Sequence, residues 1–261
     1  MASKNKYRIL KELQSSSDWL SGEDISRRIG ISRVAVWKQI KSMSEKGYIF
    51  LTGPKGYRLI EQEDPLSDLE FAEEDEILYF QEVHSTMDEA IRQIQNPKQK
   101  RTSFTILAEH QSAGISRKDT NWDSPSGGIY LTFVLKGKLV SNNVTELKKK
   151  GILAILKTLK DEQISNLYYR ESGDILIGAE KIGGMLEEYQ IRGNKLLWFS
   201  LGIGLYLNSN PGSSLSSLRL LTDKHFKRSM IIKKLKNNWE ELLNISPDEV
   251  EFHIQDFHKL N

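Results

Sequence analysis

Residues 108–130, AEHQSAGISRKDTNWDSPSGGIY, gather side chains able to hold a small anion. Arg117 and Lys118 bring positive charge, Gly114, Gly127 and Gly128 let backbone amides come close to a ligand, and several hydroxyls can donate hydrogen bonds. Trp122 and Pro125 would anchor such a loop as it folded over its ligand. Long loops within compact domains are usually either functional or disordered. A solvated connection has the same composition, so the choice rests on the rest of the chain.

A second concentration of charge lies near the N-terminus. Residues 1–60 contain twelve Lys and Arg against five Asp and Glu, a net of +7, although the whole chain carries only +2. A basic head on an acidic body points to a polyanionic partner for the head. Metal and thiol chemistry are not expected: there is no Cys, and His84, His110, His225, His253 and His258 have no HExxH or comparable spacing. No apolar run approaches the roughly 20 residues that cross a bilayer, and MASKNKYRIL lacks the pattern of a signal peptide. A cytoplasmic protein with no membrane partner is expected.

Regular elements must position these groups. In the head, Ile9, Leu10 and Leu13 mark a short amphipathic helix. SGED offers an N-cap and first-turn acids to a second, with Ile25 and Ile29 inward and Gly30 as its stop. Ser32 caps a third, RVAVWKQIKSMSEKG, whose core face is Val36, Ile40 and Met43 and whose end is Gly47. Helix, short turn with glycine, helix is a helix-turn-helix signature. YIFLT, GPKG and YRLI then form a hairpin wing. With the third helix in a major groove, Arg33, Trp37, Lys38 and Lys41 lie off its core face, Ser32 suits a phosphate, and Lys55 in the wing reaches the flanking backbone. A basic helix face is most often merely solvated. Here turn, caps, wing and charge coincide, so double-stranded operator DNA is the expected partner.

Residues 61–76 hold nine acids and no base. Composition therefore marks 63–76 as an acidic linker between a DNA-binding domain, 1–62, and a ligand-binding domain, 77–261. In the latter, strands are expected over 77–83, 105–109, 129–135, 167–170, 174–177, 185–189 and 196–207. Helices are expected from about Met87 and over 144–159, 223–243 and 247–259. Ser85 and Thr86 would cap the first helix or aim hydroxyls into a pocket. A mixed sheet with packed helices is an α+β fold.

SGEDISRRIGISRVAVWKQI and GPKGYRL, followed in order by STMDEA, AEHQSAG, Trp122 with SP, GGIYLT, KIGGMLEE and GIGLYLN, resemble the biotin protein ligase family in its bifunctional, BirA-like form. The likeness covers about residues 5–260. It implies a winged helix-turn-helix joined to a class II synthetase-like ligase domain. It also implies that biotin and ATP form biotinyl-adenylate, that biotin passes to a lysine of a carrier protein, and that a liganded homodimer represses an operator. Residues matching the family's vitamin contacts are Ser85, Thr86, Gln111, Gly114, Trp122 and Gly184. Lys181 matches a lysine that faces the ligand region.

The departures fall on the nucleotide side. Where the family reads G-R-G-R-x-G-R, this chain has Gly114, Ile115, Ser116, Arg117, Lys118, Asp119 and Thr120. Arg117 alone survives of the arginines; Ile115 cannot neutralise a phosphate, and Asp119 would repel one. K-W-P-N-D becomes Arg170, Glu171, Ser172, Gly173 and Asp174. Arg170 keeps the charge in a different shape, and Glu171 sets an anion beside it. GxGxNxN becomes Gly202, Ile203, Gly204, Leu205, Tyr206, Leu207 and Asn208, with a phenol in place of a polar side chain. The sequence stops at Asn261, so the SH3-like domain that follows in bifunctional ligases, and helps bind ATP and the carrier, is expected to be absent. Together these features lead to a ligand-responsive repressor that senses biotin, biotinyl-adenylate or a related acid with impaired catalysis. They speak against use of ATP. Ligand binding is expected to order residues 110–128 and complete a dimer surface. The alternative is an active ligase with Arg117 and Arg170 carrying the phosphate and a biotin carrier protein as partner.

Overall fold

The computed structural model describes residues 2–60, 64, 66–117, 120–137, 143–212 and 215–260. They fall into two compact units, Met1–Asp75 and Glu76–Asn261. Lys118 and Asp119, read above as part of an anion loop, lie outside the described residues. No helix among the described residues is long and apolar enough to cross a membrane.

The first unit holds helices α1 (Ala2–Ser15), α2 (Gly22–Ile29) and α3 (Arg33–Ser44) and the antiparallel wing of β1 (Ile49–Gly53) and β2 (Gly56–Ile60). Ser21 and Ser32 cap α2 and α3 by accepting hydrogen bonds from Asp24 N and Ala35 N. Gly30 ends α2 at φ 79, a left-handed backbone that costs glycine nothing. Ile9, Leu10, Leu13, Ile25, Ile29, Val36, Ile40 and Met43 make the core. A reciprocal pair of 2.8 Å backbone hydrogen bonds between Leu20 and Tyr57 ties the α1–α2 connection to the wing.

The acidic stretch does not behave as a linker. Leu66, Leu69 and Phe71 are buried, Leu69 within the head's own core. The Tyr48 hydroxyl donates to Glu70 Oε1 at 2.7 Å and meets Ser67 Oγ at 3.0 Å, and Lys46 pairs with Asp68. Apolar residues set among the acids decide its packing, and the basic head neutralises part of its charge.

The second unit is built on a mixed sheet in the order β12-β8-β9-β10-β11-β7-β4-β3. In chain order its strands are β3 (Ile77–Val83), β4 (Ser103–Gln111), β7 (Gly128–Lys136), β8 (Leu167–Arg170), β9 (Asp174–Ile177), β10 (Glu180–Arg192), β11 (Lys195–Tyr206) and β12 (His258–Leu260). Strands β3 and β4 run parallel through the crossover helix α4 (Thr86–Gln95). Helices α5 (Val144–Asp161) and α7 (Arg228–Leu243) pack together, with Trp239 of α7 stacked on Phe133 of β7 at 5.4 Å. A Cβ on Gly151 of α5 would stand 2.3 Å from Leu201 of β11, which shows how closely helix and sheet approach.

Three expectations change. The long polar loop contains a short ribbon, β5 (Gly114–Ile115) with β6 (Asn121–Trp122). The helix expected from residue 223 begins at Arg228. A separate α6 (Leu218–Thr222) ends in the left-handed Asp223, and Asn208 then brackets Phe226 with hydrogen bonds of 2.7 and 3.0 Å. The last helix, α8 (Pro247–Ile254), stops early, because His258–Leu260 pairs in parallel with β8.

Candidate functional site

A cavity of about 620 Å³ opens in the second unit between the N-terminus of α4, the β5–β6 ribbon and strands β9 to β11. Ser85 caps α4, its Oγ accepting from Met87 N at 3.2 Å. Thr86 N and Oγ1 both donate to Gln111 Oε1, at 2.8 and 3.0 Å, and Gln111 Nε2 donates to Ser124 Oγ at 2.9 Å. This chain of hydrogen bonds locks the helix start to the end of β4 and to the loop.

Trp122 lies on the sheet above two glycines that face each other in the β10–β11 register, Gly184 and Gly204. A Cβ on Gly204 would stand 2.5 Å from the indole and one on Gly184 3.4 Å, so Gly204 is required for the ring to sit there. Tyr206 stacks on Trp122 at 5.5 Å with the rings nearly parallel, and its hydroxyl donates to Asp123 O at 3.0 Å. Lys181 Nζ sits 5.3 Å from the Trp122 ring centroid, within cation–π range. Trp122 Nε1 is buried with no hydrogen-bond partner among the described residues. The nitrogen faces Gly204, where a Cβ would stand 2.5 Å from it, so the ring's close seat on the sheet leaves this donor unpaired, at a cost in free energy.

The charge in the cavity centres on Asp174, which is only 7% exposed. Lys181 pairs with its Oδ1 at 2.8 Å, Arg117 pairs with the same oxygen, and Arg170 Nη1 lies 3.5 Å from Oδ2. Arg117 also donates to Ser172 O at 2.6 Å. Burial acts to raise the Asp174 carboxyl; the Lys181 hydrogen bond and the charges of Lys181, Arg117 and Arg170 outweigh it and hold the group below the ordinary carboxylate range. Three cations around one buried anion leave an excess of positive charge even with exposed Asp123 in the wall. Such a site attracts a carboxylate or phosphate.

Ser85, Thr86, Gln111, Arg117, Trp122, Lys181 and Gly184 all line this cavity. Gly114 is buried behind it, paired with Trp122 across the ribbon. Arg170 is not in the wall and reaches the site only through Asp174. Glu171 corrects the sequence reading: it turns away to pair with Lys259 at 2.6 Å, and so does not oppose Arg170 in the cavity. Sequence reasoning gave no role to Ser124, Ser172 or Asp174, although the last two stand in the stretch matched to K-W-P-N-D. The signal available for Asp174 was that it keeps the acid of that signature and opens an otherwise apolar strand, DILI.

In the first unit, Ser32, Arg33, Trp37, Lys38, Lys41 and Lys55 are all exposed. Lys41 Nζ lies 5.6 Å from the Trp37 ring centroid. A groove between α3 and the wing is lined by Arg33, Val34, Trp37, Thr52, Gly53 and Pro54.

Comparison with known proteins agrees with both units. Residues 5–58 match a model described as HTH domain, and residues 78–205 match the Biotin/lipoate A/B protein ligase family. The chain is 27% identical over 206 residues to the bifunctional ligase/repressor BirA of Bacillus subtilis, covering 76% of this chain and 63% of that protein. It is 29% identical to the BirA of Bacillus spizizenii over 75% of this chain and 62% of that one. The matches thus span a little under two thirds of the length of these curated relatives. Among solved structures, biotin protein ligase from Aquifex aeolicus in complex with biotin and ATP superposes with a TM-score of 0.59 at 21% identity, over 70% of this chain and 78% of that one. A Helicobacter pylori synthetase with bound biotinylated ATP gives 0.55 at 19%, over 70% and 81% of the two chains, a likeness of fold. With an HTH domain and a Biotin/lipoate A/B protein ligase family domain in the same chain, in that order, and both bacillar relatives aligned over three quarters of it, the chain is BirA-like in its domain organisation.

Proposed function

We propose that this chain is a ligand-responsive transcriptional repressor of the BirA type whose ligase-like domain senses biotin, biotinyl-adenylate or a related small acid, with impaired catalysis. The observation that carries this reading is the engagement of Arg117, Arg170 and Lys181 with Asp174. Phosphoryl chemistry depends on donors preorganised toward the charge that develops in the transition state. Here the available cations already face an internal carboxylate, while the residual positive charge still favours binding an anion. The hydroxyl and amide groups of Ser85, Thr86 and Gln111 in the cavity wall fit a polar vitamin ring. The wall as a whole accommodates an acid more readily than a triphosphate.

The repressor half of the proposal rests on the exposed basic α3 and wing, which suit operator DNA in the cytoplasm. A homodimer would set two such heads on a two-fold site. Tyr189, Ile191 and Leu197, exposed toward the end of the β10–β11 hairpin, offer apolar surface for a second copy. For ligand to control assembly, it must favour the dimer-competent state over the other.

The second reading, an active ligase and repressor, is favoured by the presence of Arg117 and Lys181 in the cavity wall. Incubating the full chain with biotin, ATP and a biotin carrier domain separates the two. The expected result is calorimetric binding of biotin or its adenylate without rapid carrier labelling; rapid labelling would overturn the impaired-catalysis reading.

A further inference from the structure

Helix α3 carries a surface that electrostatics alone does not explain. Val34, Trp37, Lys38 and Lys41 are spaced i, i+3, i+4 and i+7, so they share one face. That face is turned away from the stripe of Val36, Ile40 and Met43 in the core. Its C-terminal half is cationic. Its N-terminal half is apolar and open, with Val34 63% and Trp37 52% exposed. A β-branched apolar residue in the open first turn of a helix has no packing role, and burying it would release free energy.

The surroundings identify what covers it. Arg33 adjoins Val34, Lys38 and Lys41 continue the stripe, and exposed Lys55 follows Pro54 in the wing that forms the other side of the groove that Val34 and Trp37 line; Glu23 at the start of α2 is the acid in that lining, set against four cations. An apolar centre flanked by cations on two sides complements a groove of duplex DNA, whose walls are phosphate. The one apolar group on the major-groove floor is the thymine 5-methyl. We propose that Val34 reads a thymine methyl in the operator, with Trp37 one turn on closing the contact from solvent. Specificity at that base pair then comes from shape and desolvation, not from a hydrogen bond. The proposal rests on the DNA-binding reading given above.

The test uses the full chain and a random duplex library. Selected sites are resynthesised with deoxyuridine in place of each thymidine in turn, which removes only the methyl. One position per half-site is expected to lose about fourfold in affinity, the effect of a single buried methyl-sized group. Val34→Ser is expected to bind the thymine and uracil duplexes equally, and Val34→Ala to lie between. Because each variant is compared with itself on two DNAs, a partial loss of folded protein cancels. A flat uracil scan, or an undiminished thymine preference in Val34→Ser, would overturn the assignment while leaving DNA binding intact. Failure to select any duplex would remove the DNA-binding reading and this one with it.

Discussion

Asp174 is the residue on which the cavity's charge depends, and its removal should be felt in two ways. Asp174→Asn leaves Arg117, Arg170 and Lys181 without the carboxylate they share. Breaking a buried pair costs about 3–5 kcal/mol; with the cations partly exposed here, about 1–3 kcal/mol is expected in urea unfolding of the second unit. The wild-type carboxyl titrates below its unfolded value of about 3.9. Its contribution is therefore complete above that pH and is lost as pH falls through the lower folded value. Stability measured from pH 5 down to 2 should decline less steeply in Asp174→Asn than in wild type. Gly204→Ala tests the other half of the site. The new Cβ would strike Trp122, so ligand affinity should fall roughly tenfold, the scale of a modest overpacking cost. A calorimetric titration with biotin measures it, and unchanged affinity would show that Trp122 need not lie on the sheet. The lining residues Ser85, Thr86, Gln111, Trp122 and Gly184 were legible because their motifs occur in a fixed order along the sequence. Of the Asp174 cluster the members were legible one by one, but not their pairing. It joins residues from a ribbon, a strand start and a strand bearing a register shift between Lys181 and Gly183, and no linear spacing encodes that meeting.

Among the elements, the helices of the head declare themselves through their caps and apolar spacing, and the structure places Ser21, Ser32 and Gly30 in those roles. The segment after the wing hides its packing behind its charge. With many acids around three apolar side chains, composition describes solvent exposure while Leu66, Leu69 and Phe71 are buried. Leu69→Ala should therefore destabilise the head by about 2–5 kcal/mol, as for other large-to-small core changes. Thermal unfolding of the full chain checks this, and a change below about 0.5 kcal/mol, the usual range for surface positions, would mean that the segment is a linker after all. At the other end of the chain, β12 was illegible for a different reason. Three residues, His258–Leu260, are too few to show a period, and only their pairing with β8 makes them a strand.

At the scale of the whole molecule, the contrast between a basic head and an acidic body made two units legible, and the structure divides the chain at Asp75. If recognition of DNA and of ligand are separate, Arg33→Glu with Lys38→Glu should abolish operator binding in a mobility-shift assay and leave calorimetric affinity for biotin within about twofold, since the two sets of residues belong to different compact units. Joint loss of both would show that the two functions share one cooperative structure. The hydrogen-bonded link between Leu20 and Tyr57 adds a mechanical consequence. It fastens the wing to the segment that leads into α2, so the wing is held to the helical part of the head by backbone as well as by side chains. Under the repressor reading proposed above, a Tyr57→Pro change, which removes the Tyr57 N–H and with it one of the two bonds, should loosen the wing and weaken DNA binding without touching any basic side chain.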